Sequence, residues 1–438
     1  MKIQLISHAS VIVDSGDVCI WTDPWIVGEA FNDSWALFPE AVFSSEMLKS
    51  IDYIWISHEH PDHFHIPSLR SLPKEFKERV VVIFQQNNSK KMFDAFSKLG
   101  YRNHKKLPHR TTVRLSGSTS VYCYQEGQMN SALAIMNEKV TVLNVNDAEI
   151  RTPDCKIIRK DIGKIDYVLN QFSIAGYNGN PGFDAQLRKQ AASILMTVAN
   201  NHLDLGAKYT IPFASFVYFC TQDNRYINKY ANTVHTFAEV MTAQGLQFCI
   251  LYMGDILDTE KSFDSAYAME RFALAYKNVD QLSYDELKST SILDIEQAYR
   301  DLYGHLIEKY PQIYLKLLKP VTVYLLDLDL SVTFSASELL WRIKKGQKSG
   351  ADLVLNSQPF YFALKYPYGT QTLGVSGRVV VQKNAGNWRR YRILFAMNNA
   401  EFYLKSGFLF THKNFEFISM RFRGGMSQIA RRLSTMIE

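Results

Sequence analysis

The stretch that decides the fold is Tyr53-Ile54-Trp55-Ile56-Ser57-His58-Glu59-His60-Pro61-Asp62-His63, an apolar run that ends in His-x-His-x-Asp-His. Three of the eleven histidines of the chain and one aspartate fall within six residues, which a chance loop rarely provides. Residues two apart can converge where a chain leaves a strand and turns. We therefore expect His58 and His60 to share one metal ion, with Asp62 and His63 at a second ion nearby. Imidazole and carboxylate ligands suit zinc, iron or manganese.

The segments around this motif read as short strands with helices between them. The apolar, β-branched runs before residue 150 predict strands separated by turn residues such as Asp14-Ser15-Gly16-Asp17. After residue 166, strands and helices alternate up to about residue 252, with helices expected at 183–200 and 227–245. This order predicts an α/β sandwich in which two sheets carry helices on their outer faces.

Beyond residue 255 the pattern changes. Residues 256–319 look mostly helical and predict an insertion or bridge, and a smaller α+β unit of undetermined role is expected at 320–438. In that unit we predict a helix at 335–345 and strands at 360–364, 372–381 and 390–397. The arginine-bearing tail at 418–438 is interpreted as a solvated surface helix, with a patch for an anionic partner as the alternative.

Composition limits the class of protein. The chain has 438 residues, a net charge of +6, 47% hydrophobic and 21% charged residues, which is typical of a globular protein. Its five cysteines are widely spaced and include no Cys-x-x-Cys pair, so thiolate zinc sites and a disulfide framework are not expected. We expect a cytoplasmic protein that binds neither nucleic acid nor a membrane.

The motif resembles the signature of the metallo-β-lactamase fold superfamily. Leu5-Ile6-Ser7-His8-Ala9-Ser10 and Thr22-Asp23-Pro24-Trp25 are similar to the opening hairpin and the Asp-Pro turn of that fold. The segment 142–147 resembles the strand that ends in a metal-bridging aspartate, here Asp147. The resemblance covers residues 1–255 and implies an αββα sandwich that binds two metal ions. The resemblance does not indicate whether the protein is a hydrolase, a redox enzyme or an oxygenase.

The sequence departs from the superfamily pattern at two metal-ligand positions. The third histidine of the first metal is absent from 124–131, and the resemblance leaves Glu126 as its substitute. The last histidine of the second metal is absent as well, because the strand at 209–212 continues as Phe213-Ala214-Ser215-Phe216. The identity of that last ligand stays open.

The segments 171–183, 211–216 and 223–227 are similar to the metallo-β-lactamase-like region of the CMP-N-acetylneuraminate hydroxylase family. By that resemblance the polar side chains of these loops are candidates for substrate binding: Gln171, Asn180, Asn224 and Tyr226. That family also carries a Rieske domain, which needs Cys-x-His and Cys-x-x-His pairs. Neither pair occurs here, so we expect an external electron donor.

The resemblance implies a ligand set that mixes three histidines with three carboxylates: His58, His60 and Glu126 at the first site, Asp62 and His63 at the second, and Asp147 between them. Glutamate in place of histidine favours iron and an open coordination position, as in similar di-iron oxygenases of natural-product biosynthesis. We therefore predict two iron ions, with two zinc ions as the alternative.

The predicted activity is that of a non-haem di-iron monooxygenase acting on a small-molecule or carrier-bound substrate. A dinuclear hydrolase of a phosphodiester, lactone or amide is the second hypothesis, in which Asp62 orients the nucleophile. A non-enzymatic metal-binding scaffold is the third. Asp62 and His8 are the candidate catalytic residues, His8 as a hydrogen-bonding partner behind the metal ligands. Whether the chain forms a homo-oligomer is left open.

Overall fold

The computed structural model describes residues 1–86, 91–127, 129–177, 179–286, 288–382 and 385–405. Within them the chain divides into two compact units. The first consists of Met1–Ala175, Ala185–Cys220 and Asn228–Ser283. The second consists of Gly176–Asp184, Thr221–Ile227 and the chain from Tyr284 onward. The predicted helix at 418–438 lies outside the described residues.

The first unit contains two large sheets and one small one. Its strands are β1 (Lys2–Ser7), β2 (Ser10–Asp14), β3 (Cys19–Thr22), β4 (Trp35–Leu37), β5 (Tyr53–Ile56), β6 (Val81–Gln85), β7 (Asn103–Leu107), β8 (Thr111–Arg114), β9 (Ser120–Glu126), β10 (Asn130–Met136), β11 (Thr141–Asn146), β12 (Tyr167–Gln171), β13 (Tyr209–Phe213), β14 (Val217–Phe219) and β15 (Ile256–Asp258). Its helices are α1 (Ile66–Ser71), α2 (Lys74–Arg79), α3 (Lys91–Lys98), α4 (Thr152–Ile162), α5 (Asp184–Leu205), α6 (Val234–Ala243) and α7 (Ala266–Lys277).

The two large sheets are packed face to face. One has the strand order β15-β1-β2-β3-β5-β6-β7 and the other the order β13-β12-β11-β10-β9-β8. Alternation along the strands explains the packing, because successive side chains point to opposite faces. On β11, Val142 belongs to the core between the sheets, whereas Leu143 packs outward with Ile158 of α4. On the other sheet, Trp55 faces inward and Ile54 faces a core that contains Phe96 of α3. The predicted αββα sandwich is confirmed.

Parallel pairing places the carboxyl ends of several strands at one edge of each large sheet. β3, β5, β6 and β7 are parallel neighbours, and so are β11, β12 and β13. The carboxyl ends of parallel strands meet at the same edge of a sheet, where α/β proteins commonly bind their ligands. The residues that follow or close these strands are polar: Asp23 after β3, Ser57 and His58 after β5, Asp147 after β11, and Gln171 at the end of β12.

The second unit contains a five-stranded sheet of order β18-β17-β16-β19-β20. The strands are β16 (Val321–Leu325), β17 (Leu330–Phe334), β18 (Trp341–Lys345), β19 (Leu353–Leu355) and β20 (Val380–Val381). The helices are α8 (Ile292–Lys309), α9 (Gln312–Leu315), α10 (Ser357–Lys365), α11 (Gly369–Ser376) and α12 (Gly386–Asn399). Short 3₁₀ helices occur at Ser45–Ser50 and Val279–Gln281 in the first unit, and at Arg225–Tyr230, where the second unit ends and the first resumes along the chain.

Several predictions for the C-terminal part are wrong. The segments predicted as strands at 360–364, 372–381 and 390–397 lie mainly in α10, α11 and α12, with only β20 extended. The buried residues Trp388, Tyr391 and Phe395 recur at helical spacing, which the aromatic content of the segment concealed. Conversely, residues 341–345 of the predicted helix form β18, which pairs with β17.

Residues 256–319 do not form a separate bridge. β15 pairs with β1, placing Leu257 opposite Ile3, so this segment completes the first large sheet. Phe272 of α7 also packs in the core of the first unit. Ile295 and Leu306 of α8 pack in the core of the second unit. Among the described helices, none combines the length and apolar character needed to cross a membrane.

Candidate metal centre

His58 is positioned by the turn that follows β5. The Ser57 hydroxyl donates to Oδ2 of Asp23 at 2.7 Å, and Ser57 Oγ lies 2.9 Å from Nδ1 of His58. A hydroxyl that already donates its proton can only accept from the imidazole, so His58 carries its proton on Nδ1. Nε2 of His58 is thereby left with a free lone pair. It lies 2.9 Å from Nδ1 of His60.

His63 is held in the same way by a carboxylate. Its Nδ1 lies 2.8 Å from Oδ2 of Asp23, and both side chains are fully buried. Nε2 of His63 is buried without a hydrogen-bond partner. It is 3.3 Å from Oδ2 of Asp147 and 3.4 Å from Oδ2 of Asp62. A carboxylate that accepts from one ring nitrogen, while the other faces acidic oxygens, is the usual arrangement behind a metal-bound histidine.

Asp147 follows β11 and lies between the two histidines. The side chain of Gln171 donates from Nε2 to Oδ1 of Asp147 at 2.9 Å. Oδ2 of Asp147 faces the cluster, 4.0 Å from Nε2 of His58. The backbone turns sharply just before, where Asn146 has φ of +38°. Asp147 is therefore oriented so that one oxygen is held by the protein and the other is available to metal ions on either side.

The histidine of the β1–β2 turn completes the cluster. His8 is 1% exposed, and its Nε2 lies 3.2 Å from Oδ2 of Asp62. The ligand atoms therefore form a continuous row, in the order His60, His58, Asp147, His63, Asp62 and His8. Two atoms bound to one metal at about 2.0–2.2 Å lie roughly 2.8–3.6 Å apart at octahedral to tetrahedral angles. Four of the five spacings in the row fall in this range, so the residues fit metal ions.

The electrostatics of the cluster are those of a cation site. Burial lowers the pKa of His58 well below its usual value, and the neighbouring His63 and His60 lower it further. Burial opposes the charged form of His63 as well, but Asp62 and then Asp147 outweigh burial and raise its pKa well above the usual value. The carboxylates thus attract positive charge to a buried position, and divalent ions supply such charge.

The N-terminal part of the chain, which contains the histidine motif, matches a known family model. Residues 2–133 match the family model described as the beta-lactamase superfamily domain. The resemblance expected from the sequence is confirmed for this segment.

Curated relatives match over larger stretches at low identity. A protein of Mycobacterium tuberculosis named as a Rieske 2Fe-2S iron-sulfur protein is 25% identical over 248 residues, covering 52% of this chain and 46% of its own. The cytidine monophosphate-N-acetylneuraminic acid hydroxylase of Danio rerio is 25% identical over 261 residues, covering 55% and 42%. The chain thus spans less than half the length of each of these relatives.

Solved structures resemble the chain weakly. CmlA from Streptomyces venezuelae, described as a diiron beta-hydroxylase, aligns with a TM-score of 0.42 at 15% identity, over 58% of this chain and 53% of its own. The isothiocyanate hydrolase from Delia radicum gut bacteria aligns with a TM-score of 0.40 at 15% identity, over 60% and 100%. At these scores the likeness does not discriminate between a hydroxylase and a hydrolase.

The structure brings together most of the predicted ligands. Among the described residues, two groups of ligand atoms lie within 4.8 Å of one another: His8, Asp62 and His63, and His58, His63 and Asp147. His60 adjoins the second group through His58. Glu126 lies half-buried at the end of β9, opposite Asn130, and is in neither group. Its role as a ligand stays a prediction.

The four predicted substrate-binding residues have partners within the protein. Gln171 orients Asp147, as described above. The other three lie in the second unit and bond to its backbone. Asn180 bonds to both the N–H and the carbonyl of Val381, Asn224 donates to the carbonyl of Ser376 at 2.8 Å, and Tyr226 donates to the carbonyl of Gly179 at 2.9 Å. These contacts hold loops in place, and a substrate role for the three stays a prediction.

Sequence reasoning missed Ser57 and underrated Asp23. Asp23 also accepts from the backbone N–H of Ser57 at 2.8 Å, so one carboxylate orients the turn and both imidazoles. The available signal was the position of each residue directly after a parallel strand of the same sheet. His65, just after the motif, is buried as well. It caps α1 by accepting from the N–H of Ser68, and its ring stacks on Trp25.

Proposed function

We propose that the first unit is a metal-dependent enzyme with a dinuclear centre, and that its activity is that of a non-haem di-iron oxygenase. The observation that carries the proposal is the continuous row of ligand atoms at the carboxyl ends of the parallel strands. Within it, His58 and His63 both have Nδ1 engaged by the protein, and Nε2 of each faces another proposed ligand. Nε2 of His63 and Oδ1 of Asp62 are buried without a hydrogen-bond partner, and a metal ion would satisfy them.

The proposed ligands divide between two ions. His58 and His60 would hold the first ion, with Glu126 as their proposed third partner. Asp62 and His63 would hold the second, and Asp147 would be shared. This mixture of imidazole and carboxylate suits iron better than an all-histidine set would. The names of the relatives, a hydroxylase and a Rieske protein, support an oxygenase.

When bound in such a site, a pair of irons supplies O2-dependent oxidation chemistry. The protein would hold the ligands, and Oδ1 of Asp62, which is buried without a hydrogen-bond partner, could accept a hydrogen bond beside them. Aromatic rings exclude water on the side of the β1–β2 turn. Trp25 and Trp35 lie edge-on to His8, with ring centroids 5.5 and 6.5 Å away, and Phe31 lies 6.2 Å from His60.

The substrate and the electron donor are proposed from the chemistry of O2-dependent hydroxylation. Hydroxylation by O2 consumes two electrons in addition to those of the substrate, so we propose a separate electron-donor protein. The substrate is proposed to be a small molecule, either free or bound to a carrier. A hydrolase is the second candidate, since the unpaired Oδ1 of Asp62 could equally orient an attacking water molecule.

The test is the metal content of the full chain expressed in cells supplied with both iron and zinc and purified without chelator. About two irons per chain, with O2 consumption on addition of a chemical reductant, is the result expected for an oxygenase. Two zinc ions, no O2 consumption and turnover of a phosphodiester or lactone would instead establish the hydrolase. Absence of bound metal would refute both.

A matched pair of variants distinguishes loss of the metal site from a general effect of substituting a histidine. His58→Ala removes a ligand atom and should lower both metal content and O2 consumption. His104→Gln removes a histidine of β7, whose ring contacts Phe93 and Phe96, and should change neither. Equal metal loss in both variants would show that the ions bind elsewhere or nonspecifically.

A further inference from the structure

The position expected to supply the last ligand of the second metal carries no ligand. In the superfamily pattern a histidine follows the strand that corresponds to β13. Here the residue after β13 is Ala214, which is fully buried and has φ of +47°. Its methyl group cannot bind a metal ion. The second site therefore has Asp62, His63 and the shared Asp147, and lacks one terminal ligand.

The tertiary structure places a histidine beside that position. The backbone N–H of Ala214 donates to the carbonyl of His8 at 3.0 Å, so the β1–β2 turn and the end of β13 are adjacent. These two positions are more than two hundred residues apart in sequence. The imidazole of His8 thus enters the cluster next to where the missing side chain would begin.

The surroundings of His8 are those of a fixed ligand. His8, Asp62 and His63 each offer one ligand atom, and these three atoms lie within 4.8 Å of one another in a fully buried group. Oδ1 of Asp62 and Nε2 of His63 have no hydrogen-bond partner. Leaving such groups unsatisfied is unfavourable, and a bound cation would satisfy them. Trp25 and Trp35 pack edge-on against the His8 ring and restrict its rotation.

We propose that His8 is the remaining terminal ligand of the second metal ion, in place of the histidine that is absent after β13. This inference rests on the proposed dinuclear centre and names a residue that completes it. The competing interpretation is that His8 only donates a hydrogen bond from Nε2 to Asp62, behind the ligand shell.

One substitution separates the two roles. In His8→Gln the amide nitrogen of glutamine can occupy the place of Nε2 and still donate to Asp62, but an amide is a poor ligand for a transition metal. If His8 only orients Asp62, the variant keeps the second ion. If His8 is a ligand, the variant loses it.

The experiment is equilibrium dialysis of the full chain against Co²⁺, with metal content measured by mass spectrometry and the visible spectrum recorded. The parent protein is expected to bind two ions. His8→Gln should keep the first ion at parental affinity, bind the second about 100-fold more weakly, and lose part of the visible absorption. The control His104→Gln should behave like the parent. If His8→Gln binds two ions at parental affinity, His8 is not a ligand, and the dinuclear centre is unaffected. If the parent protein binds fewer than two ions, the dinuclear centre itself is refuted.

A measurement on the unmodified chain guards against misfolding of the variant. Protein labelled with ¹⁵N-histidine and loaded with ¹¹³Cd²⁺ should show metal–nitrogen coupling on four imidazoles, namely His8, His58, His60 and His63. Coupling on three imidazoles, with the ring of His8 uncoupled, would overturn the proposal even if His8→Gln cannot be purified.

Discussion

At the scale of single residues, Asp23 positions two of the proposed metal ligands although it lies outside the histidine motif. One carboxylate accepts from Ser57 and from the imidazole of His63, and Ser57 in turn accepts from His58. The tautomers of both imidazoles therefore depend on an aspartate outside the histidine motif. Loss of a carboxylate that accepts from a metal-bound histidine commonly lowers metal affinity by about 10–100-fold.

Asp23→Asn should weaken metal binding without abolishing it. An amide that presents its N–H to Nδ1 of His63 turns that ring to the wrong tautomer, so we expect affinity to fall by 10–100-fold. Equilibrium dialysis of the variant measures the change, with His104→Gln as control. Unchanged affinity would mean that His63 is positioned by packing alone.

In the second unit, Arg378 joins separate segments through a buried ion pair. Arg378 is 5% exposed and donates from Nε to both carboxylate oxygens of Asp223 at 3.1 Å, and it also contacts Gln358. Asp223 further accepts from Asn356 at 3.0 Å. The inserted segment 221–227 is thereby joined to the helices of that unit.

Arg378→Met should destabilise the second unit by about 3 kcal/mol, because it leaves the carboxylate of Asp223 largely buried without its cation. Urea unfolding measures this loss. The double variant Asp223→Leu/Arg378→Met should recover part of it, since an apolar pair replaces the ion pair. A double variant that is less stable than Arg378→Met would contradict a role based on charge.

At the scale of elements, α4 is tied to the sheet by one exposed ion pair. Arg110 donates to both oxygens of Asp161 at 2.7 and 2.9 Å, and the hydroxyl of Tyr122 donates at 2.7 Å. Hydrogen bonding from Arg110, and then from Tyr122, lowers the pKa of Asp161 from 3.8 to about 2. A lowered pKa means that the ionised form is favoured by folding, so this stabilisation is present above pH of about 4 and is lost as the pH falls toward 2.

Asp161→Asn should therefore lower the urea midpoint at pH 7 and have a smaller effect near pH 3. The effect is expected to be modest because water and salt screen the pair. Unfolding curves of both proteins at the two pH values measure it. A difference that is the same at both pH values would indicate loss of the Tyr122 contact rather than of the charge.

The edge strand β18 shows how the second sheet avoids pairing with other chains. Arg342, Lys344 and Lys345 are exposed on this outermost strand, and charges on an edge discourage edge-to-edge association. Lys344→Ile should raise the aggregation rate on mild heating, measured by light scattering, whereas Lys348→Ala, beyond the strand, should not. Equal aggregation of the two variants would argue against edge protection.

At the scale of the whole molecule, the two units have separate cores, and the proposed metal centre belongs to the first alone. Ligands that bind only the folded state stabilise it by about 2.7 kcal/mol at a free concentration of one hundred times the dissociation constant. Chelation should therefore increase amide hydrogen exchange in β5, β11 and β12 and leave β16 and β17 unchanged. An equal increase in both units would contradict this localisation.

The amino-acid sequence by itself determined the sandwich and four of the proposed metal ligands. Period-two strands and a His-x-His-x-Asp-His turn are local patterns, and His58, His60, Asp62 and His63 lie within six residues of one another. Local patterns were less decisive in the second unit, where α10 and α12 are rich in aromatic residues that strands also favour. There the packing against the sheet, and not the intrinsic preference, selected the helix.

Only the tertiary structure decided which distant residues complete the site. Asp23 follows β3, Gln171 ends β12 and His8 lies in the β1–β2 turn, and their partners cannot be read from spacing along the chain. Parallel pairing brings the end of β3 beside that of β5 and the end of β12 beside that of β11, and packing of the two sheets brings Asp147 next to His63. The bond between Ala214 and His8 brings the first turn to the same place. Neighbouring residues can specify a motif, but contacts between remote parts of the chain exist only once the sheets have formed.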